Sequence, residues 1–122
     1  MKEKPKLLYI DDEPINLRLF ELNFQRSFEV FTAESGLQGL RMLHSNNDIV
    51  VVVSDMKMPG MSGIEFVTQA RQLFPNVAYF ILTGFDITDE IALALKEGHI
   101  CQYFRKPFNI KEMEQAISGV LK

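Results

Sequence analysis

Three aspartates, a threonine and a lysine stand at the ends of short apolar runs in this chain. Asp11 and Asp12 come directly after residues 7–10, Asp55 just after 49–53, Thr83 after 77–82 and Lys106 just after 102–104. Singly, each has an ordinary explanation. The Asp11-Asp12 pair could cap a helix, Asp55 could start a turn, Thr83 is a good strand former, and Lys106 before Pro107 could be a solvated loop lysine. If the runs are parallel strands of one sheet, however, all these groups arrive at a single edge. Three carboxylates placed close together repel unless something positive joins them. A hard divalent cation such as Mg²⁺ (or Mn²⁺) suits oxygen ligands. One carboxylate can then attack phosphorus and form an aspartyl-phosphate. The metal, an ammonium, a hydroxyl and backbone N–H groups would neutralise the charge developing on the phosphoryl oxygens.

The positioning elements are legible as alternating periodicities. Apolar runs at 7–10, 28–32, 49–53, 77–82 and 102–104 predict five strands. The third is an almost unbroken β-branched run, Ile-Val-Val-Val-Val, which a strand covered on both faces requires. Helix-length segments lie between them. Pro14 suits a first helical turn, with Ile15, Leu19 and Leu22 repeating at helical spacing behind it. Ser35 with Gln38, Ser62 with Glu65 and Asn109 with Glu112 have capping-box spacing. Asp86 or Thr88 could cap a helix carrying Ile91, Ala94 and Leu95. The last helix shows Ile110, Met113, Ile117 and Val120 or Leu121 on one face. Pro75 ends the third helix and Gly98 the fourth. Five strands alternating with five helices predict an α/β fold with a doubly wound parallel sheet and right-handed crossovers, its ligands at the carboxyl ends of the strands. Spacing alone leaves the strand order open. No repeat or linker interrupts the chain, so residues 1–122 are expected to be one unit.

Composition removes other classes of function. A length of 122 residues suits one ordinary core, and 47 % hydrophobic residues would fill it. The net charge of −3 argues against direct nucleic-acid or anionic-membrane binding. Neither a signal-peptide pattern nor a run long enough to span a bilayer is seen, so a soluble, reducing, cytoplasmic setting is expected. The single cysteine, Cys101, excludes an internal disulfide and is expected to be a small buried hydrophobe. His44 and His99 fall in a helix end and a loop, away from the predicted edge. Met56, Met58 and Met61 surround Asp55, where flexible thioethers fill irregular gaps.

The segments LLYIDDE (7–13), VSDMKMPGMSG (53–63), ILTG (81–84) and KPF (106–108) resemble, in order and spacing, the four signatures of response regulator receiver domains from two-component systems. The resemblance covers essentially the whole chain. It implies the (βα)5 flavodoxin-like fold with strand order 2-1-3-4-5 and a cis bond before Pro107. By position it makes Asp55 the phosphoacceptor and Asp12 a direct Mg²⁺ ligand. Asp11 would act nearby or through a water, and Lys57 through its backbone carbonyl. Lys106 would pair with the phosphoryl group and Thr83 would hydrogen-bond it in the active state. Backbone at Met56 and Gly84 would adjoin the phosphoryl oxygens, with Gly84 leaving room for them. Tyr103 matches the switch aromatic, turning into space that Thr83 vacates, or else it simply packs beside the last two helices. Lys57 and Phe85 occupy positions that tune phosphate lifetime in the family; a bulky Phe85 would slow hydrolysis by shielding the phosphate, or else it is simply a hydrophobic loop contact.

The implied function is a phosphorylation-activated switch rather than an enzyme with outside substrates. Its donor would be a histidine kinase or a histidine phosphotransfer protein. The surface of the fourth helix, fifth strand and fifth helix would report the change to a partner or output domain, or to a second copy in a phosphorylation-dependent homodimer. Two alternatives remain. A Mg²⁺-dependent phosphohydrolase of the haloacid-dehalogenase type also uses an aspartate nucleophile, but it carries a second aspartate where this chain has Lys57. A receiver-like interaction module that is never phosphorylated would have little need of the acids, Thr83 and Lys106.

Overall fold

A computed structural model describes residues 3–84 and 87–121. Strand and helix alternate as β1 (Lys6–Ile10), α1 (Pro14–Phe24), β2 (Glu29–Ala33), α2 (Gly36–Ser45), β3 (Val51–Asp55), α3 (Gly63–Leu73), β4 (Ala78–Thr83), α4 (Asp89–Lys96), β5 (Gln102–Arg105) and α5 (Ile110–Val120). All pairings are parallel, in the order β2-β1-β3-β4-β5. Among the described residues no helix is long and apolar enough to cross a membrane.

The β-branched run forms the central strand, as expected. β3 is buried along its whole length between β1 and β4, and it ends on Asp55 itself, two residues beyond the predicted limit. Alternation along the strands divides the core between two faces. Leu8, Ile10, Val52 and Ile81 pack with buried residues of α2, α3 and α4. Leu7, Tyr9, Val51, Val53, Phe80 and Leu82 pack with buried residues of α1 and α5.

Helix ends follow the cap chemistry. Ser62 and Glu65 form a complete reciprocal capping box at α3. Ser35, Thr88 and Asn109 each accept the N–H three residues on. Gln38 reaches back to the N–H of Glu34 rather than to Ser35, so that box is not reciprocal. α4 stops in a Schellman arrangement: Gly98, with φ of +77°, donates to Leu95 and His99 donates to Ala94. The left-handed backbone there is the reason a glycine follows this helix.

Two expectations are corrected. On α1 the helical spacing is right but the stripe is the wrong one. Ile15, Leu19 and Leu22 are 71, 52 and 47 % exposed, whereas Leu17, Phe20 and Phe24 are buried. Both stripes have helical period, and the one with two phenylalanines removes more apolar area from water. Cys101 is exposed rather than buried. It immediately precedes β5, an edge strand paired only with β4, where little covers it.

The start of α3 presses against the end of β3. Gly63 donates its N–H to Met56 O at 2.8 Å, and a Cβ added at Gly63 would lie 2.5 Å from the Asp55 carbonyl oxygen. That neighbour is backbone and cannot rotate away. Gly63→Ala is therefore expected to destabilise the fold by about 1–3 kcal/mol, measured as a lower urea midpoint; an unchanged midpoint would refute this packing constraint.

Candidate functional site

Register places the acids side by side. β1 pairs Ile10 with Ser54 of β3, so Asp11 and Asp55, each one residue further, lie level on adjacent strands. Strand order reverses direction between these two strands, at the crevice where such sheets bind ligands. Asp11, Asp12 and Asp55 each offer a carboxylate oxygen within 4.8 Å of the others. Asp11 and Asp55 are buried, and Asp12 is partly exposed.

Lys106 closes the cluster from β5. Thr83 pairs with Arg105, and the Lys106 N–H donates to Thr83 O at 2.8 Å, which holds the loop against the end of β4. The peptide between Lys106 and Pro107 is cis, as the resemblance implied. The ammonium lies 3.2 Å from Asp55 Oδ1 and 3.7 Å from Asp11 Oδ2. The Met56 N–H also donates to Asp55 Oδ1, at 3.1 Å. Thr83 is buried at the same edge, and Gly84 is exposed beside it, where an added Cβ would meet only the Lys106 stem at 3.9 Å.

Asp11 is held by donors that the sequence reading did not single out. Its Oδ1 accepts the Glu13 N–H at 2.9 Å. Its Oδ2 accepts the Tyr9 hydroxyl at 2.6 Å and the Asn16 side-chain amide at 3.2 Å. A signal existed for Tyr9: a strand residue two positions before Asp11 shares its face. Burial, followed by the hydrogen bond to Asp11 and the fields of Asp11 and Asp55, pushes the Tyr9 hydroxyl pKa far up, so it remains a proton donor.

Oxygen donors of this kind fit a hard divalent cation. The three carboxylates each offer an oxygen within 4.8 Å of the others, a spread comparable with the roughly 4.2 Å between opposite ligands of Mg²⁺. The remaining predicted residues fall as follows. Lys57 is exposed in the loop two residues after Asp55. Tyr103 is half-buried against the cluster containing Ile91 and Ala94 of α4. Met58 is buried, while Met56 and Met61 pack at the edge of the same cluster. His44 is exposed with its ring edge-on to Phe74, and His99 is partly buried after α4. Phe85 and Asp86 lie outside the described residues, and with them the expectation of a shielded phosphate.

Burial raises the Asp55 carboxyl above the ordinary aspartate range; Lys106 opposes this and Asp11 reinforces it. A carboxyl raised in the folded state keeps its proton to higher pH there than in the unfolded chain. Its contribution is neutral below the ordinary aspartate pKa. It turns unfavourable as pH climbs through the raised folded value, and stays so above it. In metal-free buffer Asp55→Asn is therefore expected to be more stable than wild type at pH 7, with the gap closing towards about pH 3. Urea unfolding across that range checks it, and a gap that widens with acid would contradict the assignment.

Residues 7–118 match the response regulator receiver domain family. Sporulation initiation phosphotransferase F of Bacillus subtilis is 32 % identical over 117 residues, covering 95 % of this chain and 93 % of that protein. Transcriptional regulatory protein GlrR of Escherichia coli is 32 % identical over 124 residues, covering all of this chain. The chain spans only 28 % of the length of GlrR. The crystal structure of a response regulator receiver domain protein from Clostridium thermocellum superposes with a TM-score of 0.88 at 38 % identity, covering 94 % of this chain and 92 % of that one. This chain belongs to the response regulator receiver domain family, the phosphorylation-activated signalling switches of two-component systems.

Proposed function

We propose that Asp55 is the phosphoacceptor of this switch and that residues 1–122 work as one receiver unit in the cytoplasm. The observation that carries the reading is the placement of Asp55 within reach of two further carboxylates and 3.2 Å from the Lys106 ammonium. An Asp55 carboxylate oxygen attacks phosphorus, the P–N bond of a donor phosphohistidine breaks, and the imidazole leaves with that electron pair. The donor is a histidine kinase or a histidine phosphotransfer protein. Asp11, Asp12, Asp55 and the Lys57 backbone carbonyl would hold Mg²⁺ or Mn²⁺. When bound, the ion offsets the negative charge of the approaching phosphoryl group.

The protein's own groups do the rest. Lys106 neutralises charge on the transferred oxygens, and the Met56 N–H already points at the Asp55 carboxylate. Backbone at Gly84 leaves space for the group. The Thr83 hydroxyl moves to bond the phosphoryl oxygen, and Tyr103 turns inward behind it. α4, β5 and α5 then present a changed surface to an output domain, a separate partner or a second copy. This is a two-state element biased by one new charge. Turnover of an outside substrate is disfavoured by Lys57, which stands where a phosphohydrolase of the rival type carries its second acid.

Incubation with acetyl phosphate, followed by intact mass measurement, tests the chemistry. Wild type is expected to gain one phosphoryl group only when Mg²⁺ is present, and Asp55→Asn none. Lys106→Met is expected to react roughly 100-fold more slowly. Donor hydrolysis without an adduct would instead favour the phosphohydrolase. For the switch, Tyr103→Ala is expected to phosphorylate normally but to lose the change in amide exchange over 89–120 that beryllofluoride induces in wild type. An intact exchange response in the variant would remove Tyr103 from the mechanism.

A further inference from the structure

We infer that Tyr9 is a positioning residue of the acid cluster: its hydroxyl occupies Asp11 Oδ2 and so keeps Asp11 from capturing the Lys106 ammonium. The inference rests on the reading of Asp11, Asp12 and Asp55 as a metal-holding set. Three donors converge on this one oxygen. Tyr9 lies at 2.6 Å, Asn16 at 3.2 Å, and the Lys106 ammonium is furthest at 3.7 Å. The cation is thus nearer to Asp55 Oδ1, at 3.2 Å, although Asp11 is the more deeply buried carboxylate. A buried carboxylate draws strongly on a nearby ammonium, and a close charge-assisted bond would form at about 2.8 Å. The neutral donors take up that acceptor capacity first.

Tyr9 is built to stay in place. It is itself 2 % exposed, and its ring stacks on Phe20 with centroids 4.0 Å apart and planes within 6°. Phe20 stacks in turn on Phe24 at 4.3 Å. The hydroxyl therefore cannot swing away, whereas Lys106 has a flexible, partly exposed stem. Without the hydroxyl, Oδ2 keeps the Asn16 amide at 3.2 Å, and the Lys106 ammonium, 3.7 Å away on its flexible stem, is the movable cation beside it. A lysine paired to Asp11 would cancel one ligand charge and abandon the phosphoacceptor.

A buried tyrosine also needs some partner for its hydroxyl, so the test must separate positioning from simple satisfaction. Tyr9→Phe keeps the aromatic stack and removes only the donor. Mn²⁺ alone is titrated into the whole protein and the free ion is counted by electron paramagnetic resonance, with urea unfolding recorded beside it. The dissociation constant is expected to rise roughly tenfold, the scale of change that partners of a metal ligand produce, because Lys106 then competes with the ion for Asp11. Asn16→Ala, at a helix position tolerant of alanine, is expected to move it in the same direction by less. In a Lys106→Met background, where no ammonium can be captured, Tyr9→Phe is expected to leave the constant nearly unchanged. Equal or tighter Mn²⁺ binding by Tyr9→Phe, or a full loss that persists without Lys106, would overturn the positioning role while leaving the acid cluster intact as a site. Wild-type protein that binds no Mn²⁺ would overturn both readings.

Discussion

Mutual repulsion of three carboxylates at the carboxyl edge of the sheet is the constraint around which this molecule is arranged. Asp11 and Asp55 are taken out of water on neighbouring strands, with the Lys106 ammonium 3.2 Å from Asp55 and 3.7 Å from Asp11 and with Asp12 close by. Burying like charges together is costly unless each finds donors. The backbone supplies some, through the N–H groups of Glu13 and Met56. Side chains supply others, through Tyr9, Asn16 and Lys106. The residual negative charge is what a cation bound there would offset in the function proposed above.

The scaffold is shaped to sustain that tension. A central strand buried on both faces cannot slip register, because a slip by one residue would exchange the two core layers. Asp55 therefore stays level with Asp11. Lys106 arrives from the opposite side on a short edge strand whose loop is tied to Thr83 by a backbone bond. The aromatic stack of Tyr9, Phe20 and Phe24 links α1 to the same edge. Core packing and site geometry thus share residues, and a substitution can disturb the chemistry without touching a reacting group.

Much of this was written locally. The β-branched run identified the central strand, because nothing but full burial on both faces accounts for such a sequence. Ser62, Glu65, Thr88, Asn109 and Gly98 marked helix ends because capping depends on groups only three or four residues apart. The acids, Thr83 and Lys106 were legible because each stands at or just beyond the end of an apolar run, and Gly84 because it completes the ILTG segment that carries the family resemblance. What escaped the sequence were choices between equal local options. α1 carries two apolar stripes of helical period, and only the sheet beneath it selected Leu17, Phe20 and Phe24. Cys101 was judged by residue type, but the edge position of β5 left it open to solvent.

The sequence by itself determined which residues could do chemistry, which segments were strands or helices, and that strand ends would carry the site. Those are consequences of residue type and short-range periodicity. The tertiary structure alone decided how the charges are shared: that Lys106 lies nearer Asp55 than Asp11, and that Tyr9 and Asn16 hold the second carboxylate. Hydrogen bonds act over about 3 Å, and in this fold the groups that approach so closely come from four separate elements. Their competition is settled by strand register and aromatic packing, neither of which any single stretch of sequence contains.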